Sequence, residues 1–82
     1  MLNDMAKAET VLSFLRTHTR SQSDGAIPLA EFRKACQDWA WSQNLNPPSN
    51  RLITRVLREQ GYEPQGSRTD WFYSGLIWNK EV

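Results

Sequence analysis

With Cys36 as its one cysteine, the chain has no internal disulfide and no cysteine-rich metal site, and a reducing cytoplasm suits it. His18 is the one histidine; placed at a helix end, it reads as a solvated residue rather than a general base. The acidic residues are scattered without paired-carboxylate spacing, and there is no phosphate-cradling glycine loop, no H-E-x-x-H and no nucleophile elbow. No catalytic site can be assembled from this inventory, so the sequence predicts neither an enzyme on its own nor a bound cofactor, metal or small-molecule substrate. No apolar run approaches the roughly 18 residues of a membrane span, and no signal-peptide pattern opens the chain. A soluble protein without membrane association is expected. The net charge is only +1, which gives no global basic footprint, so any affinity for nucleic acid has to rest on local charge.

What is present is enough for one small domain over residues 1–82, with 39% hydrophobic residues including four tryptophans. A chain of this size buries about 60–65% of the surface of its unfolded state. From Asp4 onward, Ala8, Val11, Leu12 and Leu15 recur at helical spacing and predict a first helix to about Thr17. Residues 19–26 (TRSQSDGA) read as a polar loop ending in Asp-Gly. Ile27 precedes Pro28, which favours an extended residue and predicts a very short strand; Pro28 also suits the first turn of a second helix. That helix places Leu29, Phe32, Ala35, Cys36, Trp39 and Ala40 on one face and ends near Gln43. Cys36 on this stripe is expected to be a small buried hydrophobe.

The third helix carries the clearest punctuation. The pair Pro47-Pro48 disfavours helix before Ser49, Ser49 is a good N-cap, and Gly61 suits the left-handed position after the last turn, which predicts a helix over residues 49–60. Leu52, Ile53, Val56 and Leu57 form its apolar stripe, to be buried against Trp39 and the first helix. Arg51, Arg55 and Arg58 fall on nearly the opposite face, within roughly 60° of arc. This arrangement works against the helix: a cation in the first turn costs about 0.3–1 kcal/mol, and each like-charge pair a few tenths more. Glu59 is the one residue of the helix able to relieve it, in the poorer orientation. A polyanion would turn these penalties into binding energy.

After Gly61, residues 62–67 (YEPQGS) and 71–78 (WFYSGLIW) flank a polar turn at Arg68-Thr69-Asp70 and read as two strands. Pro64 confines the first to an edge, and Gly75 marks a bulge in the second. The expected class is therefore α+β: a winged helix-turn-helix of three helices followed by a β-hairpin wing, with a short strand between helices one and two. In such folds the third helix enters the major groove. Ser49, Asn50, Arg51 and Thr54 lie toward its N-terminal end, with Arg55 and Arg58 further along. Asn and Arg read adenine and guanine, while Ser and Thr bind phosphate; Asn50 equally suits a plain helix start. Arg68 and Thr69 fall where a wing tip would meet DNA, or where a solvated turn would lie. Trp39 and Trp78 are expected in the core. Trp41 falls on the polar side of helix two, where it either folds under the connector or serves protein docking or self-association. Trp71 either stacks on the sheet or touches DNA.

The strings VLSFL, IPLAEFRKACQDWA, PPSNRLITRVLREQGYEPQGSR and GLIWN, spanning Val11 to Asn79, resemble the C-terminal winged-helix domain of phage and plasmid primase-helicases, the satellite-phage alpha-protein and poxvirus-like group. The resemblance is carried by Phe32, Ala35 and Trp39 in helix two, by Ser49, Leu57, Gly61 and Tyr62 around helix three, and by Gly75-Leu76 in the last strand. In that family the domain follows a primase and a superfamily-three helicase and binds origin DNA. The resemblance implies double-stranded DNA as the partner of residues 49–58 and Arg68. It makes the chain either a fragment of a longer replication protein or a free-standing relative. The competing expectation is a winged-helix module that docks proteins and does not bind DNA.

Overall fold

The computed structural model describes residues 2–66 and 70–79. Its elements run α1 (Leu2–His18), β1 (Thr19–Pro28), α2 (Leu29–Ser42), α3 (Asn50–Glu59), β2 (Pro64–Gln65) and β3 (Phe72–Trp78). The three strands form one antiparallel sheet in the order β1-β3-β2, so the architecture is α+β with three helices. Among the described residues, no helix is long and apolar enough to cross a membrane.

The punctuation of α3 holds at both ends. Ser49 is the N-cap: its Oγ accepts the Leu52 amide at 3.2 Å and satisfies one of the donors a helix start leaves open. At the other end the Tyr62 amide donates to the Leu57 carbonyl at 2.9 Å and the Gly61 amide to Arg58 at 3.0 Å. This pair of reversed bonds needs a left-handed residue between them, which Gly61 supplies at φ +93°. Leu52, Ile53, Val56 and Leu57 are all buried, and α3 lays them against α1.

The main departure from expectation is β1. Residues 19–26 were expected as a loop with a very short strand at Ile27, yet they belong to a ten-residue strand paired along β3. Of Thr19, Arg20 and Ser21 only Thr19 is a strand former, yet all three pair with Trp78, Ile77 and Leu76, and such pairing outweighs local preference. The polar Asp-Gly stretch survives as an arch. Ser21 pairs with Leu76 and Ala26 with Ser74, so residues 22–25 stand opposite Gly75 alone. The irregularity is thus at Gly75, as expected, but the extra residues are on the partner strand. Gly25 lies so close to β3 that a Cβ there would meet the Leu76 carbonyl oxygen and Ile77 Cγ2 at 2.6 Å. No side chain fits.

Helix α2 begins one residue later than expected, with Pro28 at its N-cap (φ −56°, ψ 136°). The Leu29 amide donates to the Trp71 carbonyl at 2.9 Å, tying this end to the start of β3. Strand β2 is only two residues long, paired to Phe72 and Tyr73, and lies at the sheet edge as Pro64 requires.

The core joins Val11, Phe14 and Leu15 of α1 to Phe32 and Cys36 of α2, the α3 stripe, and Ile27, Tyr73 and Leu76 of the sheet. Phe14 is its aromatic hub. Its ring meets Phe32 at 5.4 Å, Trp39 at 5.7 Å and Trp78 at 6.0 Å, and stacks on His18 at 4.6 Å. His18 is therefore not simply solvated: it is half-buried in this cluster, with Trp39 at 5.5 Å and the Thr17 hydroxyl 2.7 Å from Nδ1. Trp39 and Trp78 pack on the core from its margin, and Trp78 Nε1 donates to Glu31 at 2.9 Å.

Candidate nucleic-acid interface

Burying four aliphatic side chains on one side of α3 leaves the opposite side to solvent. Arg51, Arg55 and Arg58 are exposed there. With Ser49, Leu52 and Thr54 they line a surface depression of about 620 Å³. Five of the expected residues, Ser49, Arg51, Thr54, Arg55 and Arg58, are thus brought together on one face. Arg68 and Thr69, expected at a wing tip, lie outside the described residues.

The three arginines are not equivalent. Among the described residues, Arg51 and Arg55 make no hydrogen bond or ion pair. Arg58 does: its Nε lies 3.1 Å from the Glu63 Oε1, with both side chains more than half exposed. The sequence assigned any relief to Glu59, within the helix. The carboxylate that supplies it sits instead beyond the Gly61 turn, where the reversed chain passes back beside the last helical turn.

The two short polar residues are tied to α2. Asn50 Oδ1 accepts from Gln37 Nε2 at 3.0 Å, and the same amide group donates to the Pro48 carbonyl at 2.9 Å. Asn50 thereby helps hold the connector as well as facing outward. Thr54 is half-buried; its hydroxyl donates to the Asn50 carbonyl at 3.0 Å and accepts from Arg33 Nη2 at 2.9 Å. Its one proton is committed inward. Ser49 Oγ accepts at the cap and keeps its proton to donate outward.

Arg33 is a residue the sequence did not single out. Its guanidinium reaches beneath α3, and its buried Nε has no hydrogen-bond partner among the described residues. The Tyr73 hydroxyl lies beside Thr54 in the same junction, without a partner in bonding geometry among the described residues. Burial pushes the Tyr73 phenol above its ordinary value, against the opposing influence of Thr54 and the charges of Arg33 and Arg58. Helix two, helix three and the sheet therefore meet through one polar junction under the basic face.

The remaining candidates are elsewhere. Trp41 is 75% exposed at the end of α2 and borders a depression of about 290 Å³ with Asn44, Leu45 and Asn46. Trp71 is 42% exposed beside β3. Cys36 is fully buried, and burial pushes its thiol from 9.0 up to about 12, so it is not a nucleophile at neutral pH. Comparison with protein families, characterised proteins and solved structures finds no significant match to this chain.

Proposed function

We propose that the chain is a winged helix-turn-helix domain that binds double-stranded DNA through α3. The element order and the sheet order β1-β3-β2 support the winged-helix assignment. The observation that carries the DNA reading is the pair Arg51 and Arg55: two exposed cations one turn apart, without a partner among the described residues, on a helix whose other side is buried. A solvated helix gains nothing from this arrangement, whereas a phosphate backbone does. Arg51, nearest the N-terminal end, is assigned to base edges, and Arg58 to phosphate. The sequence resemblance to primase-helicase C-terminal domains gives the replication origin of a phage, plasmid or other mobile element as the class of target.

The second reading is protein docking, which the exposure of Trp41 favours. Salt separates the two. Binding through phosphates weakens steeply as salt rises, with a slope near −0.9 per phosphate neutralised, and apolar docking does not. The test is a duplex titration at two salt concentrations with the native chain and the Arg51→Ala/Arg55→Ala/Arg58→Ala variant. The variant is expected to bind more weakly with a shallower slope, while its unfolding midpoint stays near native, because relief of the like charges and of the Arg51 dipole contact offsets the loss of the Arg58–Glu63 ion pair. Unchanged affinity and slope would show that α3 is not the recognition helix.

A further inference from the structure

The ion pair between Arg58 and Glu63 divides the basic face of α3 into two working cations and one restrained one. We propose that Glu63 is a specificity-determining residue: it competes with phosphate for Arg58, which lowers sequence-independent affinity for duplex DNA. The inference rests on the DNA reading above.

The contact is built by the fold rather than left to two free side chains. Glu63 lies between Tyr62 and Pro64, and both neighbours are fixed. The Tyr62 amide is bonded to the Leu57 carbonyl at 2.9 Å, and its hydroxyl is 2.8 Å from Ser21 Oγ on β1. Pro64 begins β2 and pairs with Tyr73. The chain therefore delivers the Glu63 carboxylate to Arg58 Nε, 3.1 Å away, on the face that Arg51 and Arg55 share.

The consequence follows from charge. A phosphate approaching Arg58 meets a carboxylate already seated there, so the pair as a whole is neutral. A neutral pair neutralises no phosphate and releases no condensed counterion. Phosphate contacts supply affinity without sequence information, while base contacts supply discrimination. Withholding one phosphate contact thus raises the ratio of specific to non-specific binding, the quantity that matters amid many competing sites. Both partners remain more than half exposed, so a phosphate held in place by the rest of an interface can displace the carboxylate.

The test measures affinity for a mixed-sequence duplex against salt for four proteins: the native chain, Arg58→Ala, Glu63→Gln, and the double variant. Arg58→Ala alone is expected to weaken binding, because it leaves the Glu63 carboxylate uncompensated on the basic face, but to lower the salt slope by clearly less than the roughly 0.9 of a full phosphate contact. Glu63→Gln is expected to tighten binding several-fold at low salt and steepen the slope by about 0.9. Arg58→Ala in the Glu63→Gln background is expected to remove that gain. A slope reduced by about 0.9 on Arg58→Ala alone, or a silent Glu63→Gln, would overturn the proposal. If the native chain binds duplex and weakens on Arg51→Ala and Arg55→Ala while Glu63→Gln is silent, only this inference fails. If the native chain does not bind duplex, the DNA reading falls with it. Both altered side chains are exposed, and urea unfolding of each variant checks that the fold is kept.

Discussion

The Arg33 guanidinium on α2 donates to the Thr54 hydroxyl on α3 at 2.9 Å, bridging two helices that Gln37 and Asn50 also join at 3.0 Å. Thr54→Val keeps the shape of the side chain but removes the acceptor, leaving a partly buried guanidinium short of a partner. The expected loss is about 1–3 kcal/mol in urea unfolding. Arg33→Met in the Thr54→Val background is expected to recover part of it, since an apolar side chain needs no partner. If Thr54→Val unfolds at the native midpoint, the bridge contributes nothing to the fold.

The stripe of α3 is a sharper test of packing. Leu57 is fully buried and Val56 nearly so. Leu57→Ala is expected to cost about 2–5 kcal/mol and Val56→Ala less, because fewer methyl groups are removed. For a domain of this size that is a large share of its whole stability. Thermal or urea unfolding reads the loss directly, and unchanged melting temperatures would contradict the buried stripe.

Trp41 should behave oppositely. With its ring 75% exposed, Trp41→Ala is expected to leave unfolding free energy within about 0.5 kcal/mol of native. Under the docking reading the same change abolishes concentration-dependent association, measurable by sedimentation. A loss of several kcal/mol would place the ring in the core and deprive that reading of its main residue.

Cys36 gives a pH signature. Its folded-state value, about 12, is raised from 9.0 by burial. In the unfolded chain the thiol ionises above pH 9, while in the folded chain it stays protonated until about 12. Between these limits the unfolded state binds fewer protons, so stability falls as pH rises, by at most about 1.4 kcal/mol per pH unit. Below pH 9 the thiol has no effect. Cys36→Ala removes this slope, and because Tyr73 titrates in both proteins, the difference between them isolates the thiol. Parallel stability curves from pH 8 to 11 would mean that the thiol is not desolvated as its burial implies.

What could be read from the sequence divides by the range of the interactions. Helix α3 was legible to within a residue because its cap, stripe and Gly61 reversal are all local. The exposed arginine face followed from the same periodicity. Strand β1 was not legible, since the polar run after Thr19 reads as a loop until Trp78, Ile77 and Leu76 lie alongside it. Phe14 and Tyr73 are core residues that the local pattern hides: one falls outside the helical spacing of Ala8, Val11, Leu12 and Leu15, the other in a run where both alternation registers carry large apolar groups. The site's electrostatics were the least legible part. Arg33 meets Thr54 from 21 positions away, and Glu63 reaches Arg58 across a chain reversal, so neither partnership obeys the spacing rules of a single helix.

The arch in β1 bears on how this protein behaves in a crowded solution. β1 is an edge strand, and its outer row of amide and carbonyl groups would otherwise offer a ten-residue template to any passing extended chain. Residues 22–25 break that row, as a bulge does, and bend the edge away from flat pairing. On the opposite edge, β2 offers two residues, one of them a proline without an amide proton. Among the described residues, strand addition along β1 therefore meets an interrupted edge, and the interruption comes from the polar stretch that departs most from regular strand geometry.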